Sequence, residues 1–179
     1  MKKKNLLIIG SLNMDMVVSV DHTPTVGETI LSKTMQLIPG GKGANQAFAA
    51  ANLGMAVKML GAVGNDSYAD FQRQSLQSAG VDISRVICRK DSNTGIAMIT
   101  VDREGDNCII VVSGANATLS PEDIDDNLDL LEECDAVILQ MEIPLDTVFG
   151  MNGSSLMAGG EAGKEAGQDS DFGSCARPG

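Results

Sequence analysis

Gly40-Gly41-Lys42-Gly43-Ala44-Asn45-Gln46-Ala47-Phe48-Ala49-Ala50-Ala51-Asn52-Leu53-Gly54 is the stretch on which the fold turns. Ala44 to Leu53 is dense in alanine, the best helix former, and Gly54 supplies a residue that takes the left-handed terminating conformation at no steric cost. Val57 to Val63 then reads as a buried strand, and upstream Leu6 to Ile9 reads as another. Strand, helix, strand is the unit from which a parallel sheet is built.

Outward from that unit the rhythm repeats. Tyr68 to Ala79 is a polar-faced helix with Phe71, Ser75, Leu76 and Ala79 at helical spacing, and Gly80 closes it. Ser120-Pro121-Glu122-Asp123 sets an N-cap hydroxyl, a first-turn proline and two acids ahead of Leu128, Leu130 and Leu131, and Ala136 to Met141 follows as a strand. The expected fold is α/β, with a mainly parallel, helix-covered sheet. Two stretches break the pattern: residues 16–39, and residues 94–113, where β-rich runs flank Arg103-Glu104-Gly105-Asp106 as a hairpin. They predict a small β sheet that serves as a lid over the carboxyl ends of the parallel strands, where open α/β sheets hold ligands.

Composition narrows the function. The formal charge is -11, with no Lys/Arg stripe, which disfavours nucleic acid as a partner. The apolar runs fall far short of the ~20 residues that span a bilayer, and the stretch behind Met1-Lys2-Lys3-Lys4 is too short for a signal peptide, so a cytoplasmic protein with no membrane partner is expected. The four cysteines, at 88, 108, 134 and 175, lack CxxC spacing and read as buried, reduced thiols. With His22 the one histidine, zinc is not expected.

Candidate ligand residues stand at the strand ends. Asn13 and Asp15, two apart, share a side if the backbone stays extended, and their amide and carboxylate suit sugar hydroxyls. The same pair also suits a simple Asx-type loop. Gly41, Lys42, Gly43 and Asn45 form a turn before a helix whose N–H groups face a polar ligand; a tight helix-capping turn is the alternative. The turn is not a phosphate-binding P-loop, because Gly43 stands where Ser or Thr is required and Gln36 where the first glycine is required. Glu142 closes the strand Ala136 to Met141 and offers a carboxylate. Asp66 reads as the cap of the following helix.

Five motifs together carry a family resemblance: Gly10-Ser11-Leu12-Asn13-Met14-Asp15, Pro39 to Ala47, Gly61-Ala62-Val63-Gly64-Asn65-Asp66, Gly114-Ala115-Asn116 and Glu142-Ile143-Pro144. From about Asn5 to Pro144 the chain resembles the ribokinase branch of the PfkB carbohydrate kinases. The resemblance implies a ribokinase-like fold, truncated here. It implies ribose held by Asn13, Asp15, the Gly41 to Asn45 turn and Glu142, and a lid that pairs two subunits in an intact homologue. It further implies ATP-dependent phosphorylation of D-ribose to ribose 5-phosphate, with ATP, Mg²⁺ and a monovalent cation such as K⁺. Fructose or a nucleoside is the alternative substrate, and a non-catalytic sugar-binding or interaction fragment the alternative class. The family's catalytic aspartate sits in a late Gly-x-Gly-Asp turn, which this sequence lacks. Residues 1–149 are therefore expected to be the N-terminal part of the domain, with lid strands at about 14–39 and 94–113, inactive on its own.

The last thirty residues, 150–179, include eight glycines and no Ile, Val, Thr or Tyr. Such a segment is expected to be a disordered Gly-rich tail or the product of a changed reading frame. Permissible codons for Gly167 to Arg177 read GKTVILDPAPG in a shifted frame, a buried-strand pattern, and the frame change is the favoured reading.

Overall fold

The computed structural model describes residues 4–150, so the expectation for the Gly-rich tail falls, apart from Gly150, outside the described residues. Asn5–Ile9 (β1) is a central strand of a four-stranded parallel sheet, with Ala56–Gly64 (β4) and then Val86–Arg89 (β5) on one side and Ala136–Leu139 (β8) on the other. Leu6, Leu7, Ile8 and Ile9 are all buried. A strand that is apolar at every position is covered on both faces, and alternation divides it between two cores.

On one face Leu6 and Ile8 meet Val57, Met59, Ala44, Ala47 and Leu76, the last three from the helices Lys42–Asn52 (α1) and Ser67–Ser78 (α2). On the other, Leu7 and Ile9 meet Leu60, Ala62, Ala115, Leu119, Ile124 and Leu130. These come partly from a 3₁₀ turn at Gly114–Thr118 and from the short helices Pro121–Asp125 (α3) and Leu128–Glu133 (α4). Leu145–Gly150 (α5) packs against α3. The α3 start is a capping box in which Ser120 and Asp123 each bond the other's backbone.

The segments that break the α/β rhythm make a second sheet in the order Thr34–Gly40 (β3), Asn13–Ser19 (β2), Gly95–Val101 (β6), Asn107–Val112 (β7). β2 is antiparallel to β3 and parallel to β6, and β6 and β7 form an antiparallel hairpin. Register places Asp15, Ala97 and Val111 on one face, followed by Val17, Ile99 and Ile109. Asp15, Ala97, Ile99, Ile109 and Val111 of this face line one cavity.

Several expectations are corrected. Helix α1 starts at Lys42 rather than Ala44, because Gly41 makes the turn by itself at φ 90°. The buried residues of α2 are Ala69, Gln72 and Leu76, while Phe71 is half exposed: Gln72 takes the core position because its amide meets two backbone carbonyls there. β8 stops at Leu139, because the Gln140 side chain turns back to the Ser11 N–H, so Glu142 follows the strand rather than closing it. Cys88 and Cys108 are exposed and Cys134 half-buried, all three as free thiols. The first two sit on the outer strands β5 and β7, each with solvent on one side. Edge strand β5, too short and mixed in polarity to be legible, was not anticipated.

Candidate functional site

The chain runs from β1 out to β4 and β5 and returns to β8 on the other side of β1, so a crevice opens at the carboxyl ends of β1 and β8. Four backbone segments meet there: Gly10–Leu12 leaving β1, the start of β2, the start of α1, and residues 140–142 after β8. Two glycines permit it. A Cβ on Gly41 would lie 2.7–2.9 Å from Asn13 N, Ser11 O and Leu12 Cα, and one on Gly43 would lie 2.7 Å from Gly10 C and Ser11 N. The first turn of α1 thus rests directly on the exit of β1, sealed by Ala44 N–H donating to Ser11 O at 3.0 Å.

Asn13, Asp15, Gly41, Lys42, Asn45 and Glu142 all line one cavity of about 150 Å³. Gly43 lies beneath the helix start instead, as the spacer that allows the approach. Ala97, Ile99, Ile109 and Val111 of the second sheet supply the apolar wall. Lys42 Nζ donates to Glu142 Oε1, and Ser11 Oγ donates to Glu142 Oε2 at 2.9 Å. Burial pushes the Glu142 carboxyl up, but the Lys42 and Ser11 hydrogen bonds and the Lys42 charge outweigh it, and Glu142 is held below its ordinary range. Among the described residues, none donates to Asp15 in this way. Burial first, and then the nearby Glu142 charge, raise its carboxyl above the ordinary value.

A second cavity of about 400 Å³ adjoins the first, sharing Asn13, Val111 and Glu142 and adding Asn116, Met141 and Pro144. The combination of hydroxyl-sized donors and acceptors on one side and an aliphatic wall on the other matches a small polyol, which is polar at its edges and apolar across its C–H faces.

The supporting residues were not assigned roles from the sequence. Ser11 and Gln140 hold the crevice shut at its base: Ser11 N–H donates to Gln140 Oε1 at 3.1 Å. Asn116 clips the Leu12 peptide, accepting from its N–H at 2.9 Å and donating to its C=O at 3.1 Å. Gln72 Nε2 donates to Asn13 O and, at 2.8 Å, to Gly40 O, fixing where β2 and β3 begin and end. Gly40 leaves room for the Asp15 carboxyl. Asn116 lay inside a quoted motif; for Gln72 no local signal distinguishes it from the exposed Gln74 and Gln77 of the same helix. Asp66 caps α2 as read, accepting from Ala69 N–H at 3.0 Å, and also accepts from Thr94 N–H and Thr94 Oγ1, both at 2.7 Å. It thereby ties the first sheet to the foot of β6.

With this geometry in view, the chain belongs to the pfkB family of carbohydrate kinases, whose model matches residues 3–167. Among its relatives it is 43% identical over 147 residues to a ribokinase of Bacillus subtilis (strain 168), covering 81% of this chain and 49% of that one. It is 39% identical over 145 residues to a deoxyribokinase of Salmonella typhi, covering 81% and 47%. The fold matches an Arabidopsis thaliana ribokinase complexed with ribose and ATP, with TM-score 0.72, 34% identity, and 83% of this chain and 50% of that one covered. The chain spans about half the length of the curated relatives it matches.

Proposed function

We propose that residues 1–149 are the sugar-binding N-terminal part of a ribokinase-type kinase domain, with lid strands at about 14–39 and 94–113, and that the whole protein phosphorylates D-ribose with ATP to ribose 5-phosphate. The observation that carries this reading is the convergence of Asn13, Asp15, Gly41, Lys42, Asn45 and Glu142, from four separate segments, on one cleft. Its polar residues face an aliphatic wall of Ala97, Ile99, Ile109 and Val111, the pairing that a monosaccharide meets with its hydroxyls and its C–H faces.

In this reading the protein's own groups bind and orient. Asp15 accepts from sugar hydroxyls, and Glu142 keeps lone pairs for another hydroxyl while Lys42 and Ser11 hold it in place. Ile99, Ile109 and Val111 exclude water above the sugar. Phosphoryl transfer rests on positioning and electrostatic stabilisation, so a chain without the Gly-x-Gly-Asp turn is inactive alone. ATP would supply the transferred phosphoryl group. Mg²⁺ and a monovalent cation such as K⁺ would accompany ATP in the whole protein; among the described residues no three His, Cys, Asp or Glu side chains group to hold a metal. No described helix is long and apolar enough to cross a membrane, and the reading includes a cytoplasmic location and a dimer paired through the lid.

Calorimetric titration of this chain with D-ribose, D-fructose and adenosine, beside an ATP-consumption assay, tests the proposal. Ribose binding that weakens at least about tenfold in Asp15→Asn, with no turnover, is the expected result. Turnover by this chain alone would refute the inactivity, and equal titration of wild type and Asp15→Asn would refute the site. Nucleotide sequence through codon 150 and beyond tests the reading of the tail: an open shifted frame supports the frame change, and an unaltered stop rejects it.

A further inference from the structure

The orientation of the Asn13 side chain follows from three linked hydrogen bonds. Leu12 presents its backbone N–H and C=O to one side chain, that of Asn116. A backbone N–H can only donate and a C=O can only accept, so the Asn116 amide has a single allowed sense, Oδ1 toward Leu12 N and Nδ2 toward Leu12 O. The second hydrogen of Asn116 Nδ2 then goes to Asn13 Oδ1 at 2.8 Å. Rotating Asn13 by half a turn would set one amide nitrogen against another. Asn116 is 2% exposed and Asn13 4%, and Gly95 packs so closely that a Cβ there would overlap Asn13 Oδ1 and Asn116 Nδ2, so neither amide has room to swing away.

With Oδ1 committed, the Asn13 group left for both cavities is the Nδ2 amide, which bonds no other described residue. We propose that Asn116 is a positioning residue that makes Asn13 a donor only, so that the site selects a ligand atom that accepts from Asn13 while a hydroxyl beside it donates to Asp15. The inference rests on the sugar-site reading above and sharpens it. A free asparagine would tolerate either sense of hydrogen bond; a clamped one reads the polarity of the hydroxyl. Asp15, two residues on along β2 and on the same face, is an acceptor whenever ionised. The pair is therefore complementary to adjacent hydroxyls arranged as acceptor and donor in turn, and a ligand carrying an amino cation at the Asn13 position is excluded.

Two measurements test it. In the free chain, a through-hydrogen-bond NMR coupling should run from Asn116 Nδ2 to Asn13 Cγ; the reverse coupling, Asn13 Nδ2 to Asn116 Cγ, overturns the proposal whether or not sugar binds. Second, D-ribose analogues with one hydroxyl at a time replaced by hydrogen or by fluorine are titrated calorimetrically. Fluorine accepts weakly and cannot donate. At one position the fluoro analogue should bind about fivefold tighter than the deoxy analogue, and that ratio should fall toward one in Asn116→Ala. A purely structural role for Asn116 would weaken all analogues alike and leave the ratio unmoved, which overturns the proposal. Where Asn116→Ala does not fold, Asn13→Asp keeps the Asn116 bond and presents an acceptor, and the ratio should fall below one; a ratio that stays near five overturns the proposal. Failure of wild type to bind ribose, with the expected coupling present, refutes the sugar reading and supports the donor assignment.

Discussion

Replacing Gly43 by alanine sets two effects against each other, and the structure decides which wins. Gly43 lies inside α1 and has no positive φ, so helix propensity alone favours alanine by about 0.5–1 kcal/mol. The added Cβ, however, would stand 2.7 Å from Gly10 C and Ser11 N and 2.9 Å from Gly10 Cα. All three are backbone atoms of a buried strand exit, which cannot rotate away as the end of a long side chain can. Relief requires the start of α1 to lift off β1, which weakens the Ala44–Ser11 hydrogen bond and shifts Lys42 from Glu142. Overpacking of this kind costs ~1–3 kcal/mol and exceeds the propensity gain. We expect Gly43→Ala to unfold at lower urea, with a net loss of ~1–2 kcal/mol, or about 2–8 °C in Tm. Far-UV circular dichroism is the assay, since the chain has no tryptophan. Gln46→Ala, exposed on the same helix, is the control and should be neutral or slightly stabilising. A Gly43→Ala variant as stable as the control would refute the argument that backbone approach, rather than helix propensity, dictates glycine here.

Asp15→Asn should raise Tm at pH 7 while weakening sugar binding. The folded pKa of Asp15 is raised, so its ionisation costs stability as pH rises through the folded value, and the difference from wild type should vanish below 3.8, the ordinary value for aspartate. Glu142→Gln should do the opposite: the folded pKa of Glu142 is lowered, its contribution is present above 4.5, and the Tm deficit of the variant should close as pH falls through the folded value. Asp66→Ala removes the α2 cap and both Thr94 bonds and should cost ~1–3 kcal/mol in urea unfolding, with amide exchange rising first at the foot of β6. Gln72→Met keeps the volume but leaves the Asn13 and Gly40 carbonyls without its donor, and should cost about 1–3 kcal/mol in the same assay; a neutral result would mean that water replaces the amide.

Much of the fold was legible because its signals are local. The alanine run before Gly54, the Ser120–Pro121 start and the uniformly apolar Leu6 to Ile9 each announce one element within a few residues. The candidate site was legible in part for another reason: Asn13 and Asp15 at one strand start, and Glu142 after another, are polar residues placed where α/β sheets present ligand groups. Gln72 has no local mark of a buried amide, and the motif that contains Asn116 does not say which group its amide meets. Their partners are 32–59 and 103–104 residues away. Cys88 and Cys108 were misjudged because exposure depends on which strands lie outermost, a property of the sheet and not of the strand.

From the sequence alone came the α/β alternation, the hairpin over residues 94–113, the helix caps and the identity of the groups offered to a ligand. Each of these follows from the periodicity or chemistry of a short segment. Only the tertiary structure decided the order β5-β4-β1-β8, the strand order and register of the second sheet, the opposite pKa shifts of Asp15 and Glu142, and the clamped sense of Asn13. These depend on groups that chain closure brings within hydrogen-bonding distance across separations of 100, 103 and 131 residues, and hydrogen bonding and desolvation act over ångströms of space rather than along the sequence.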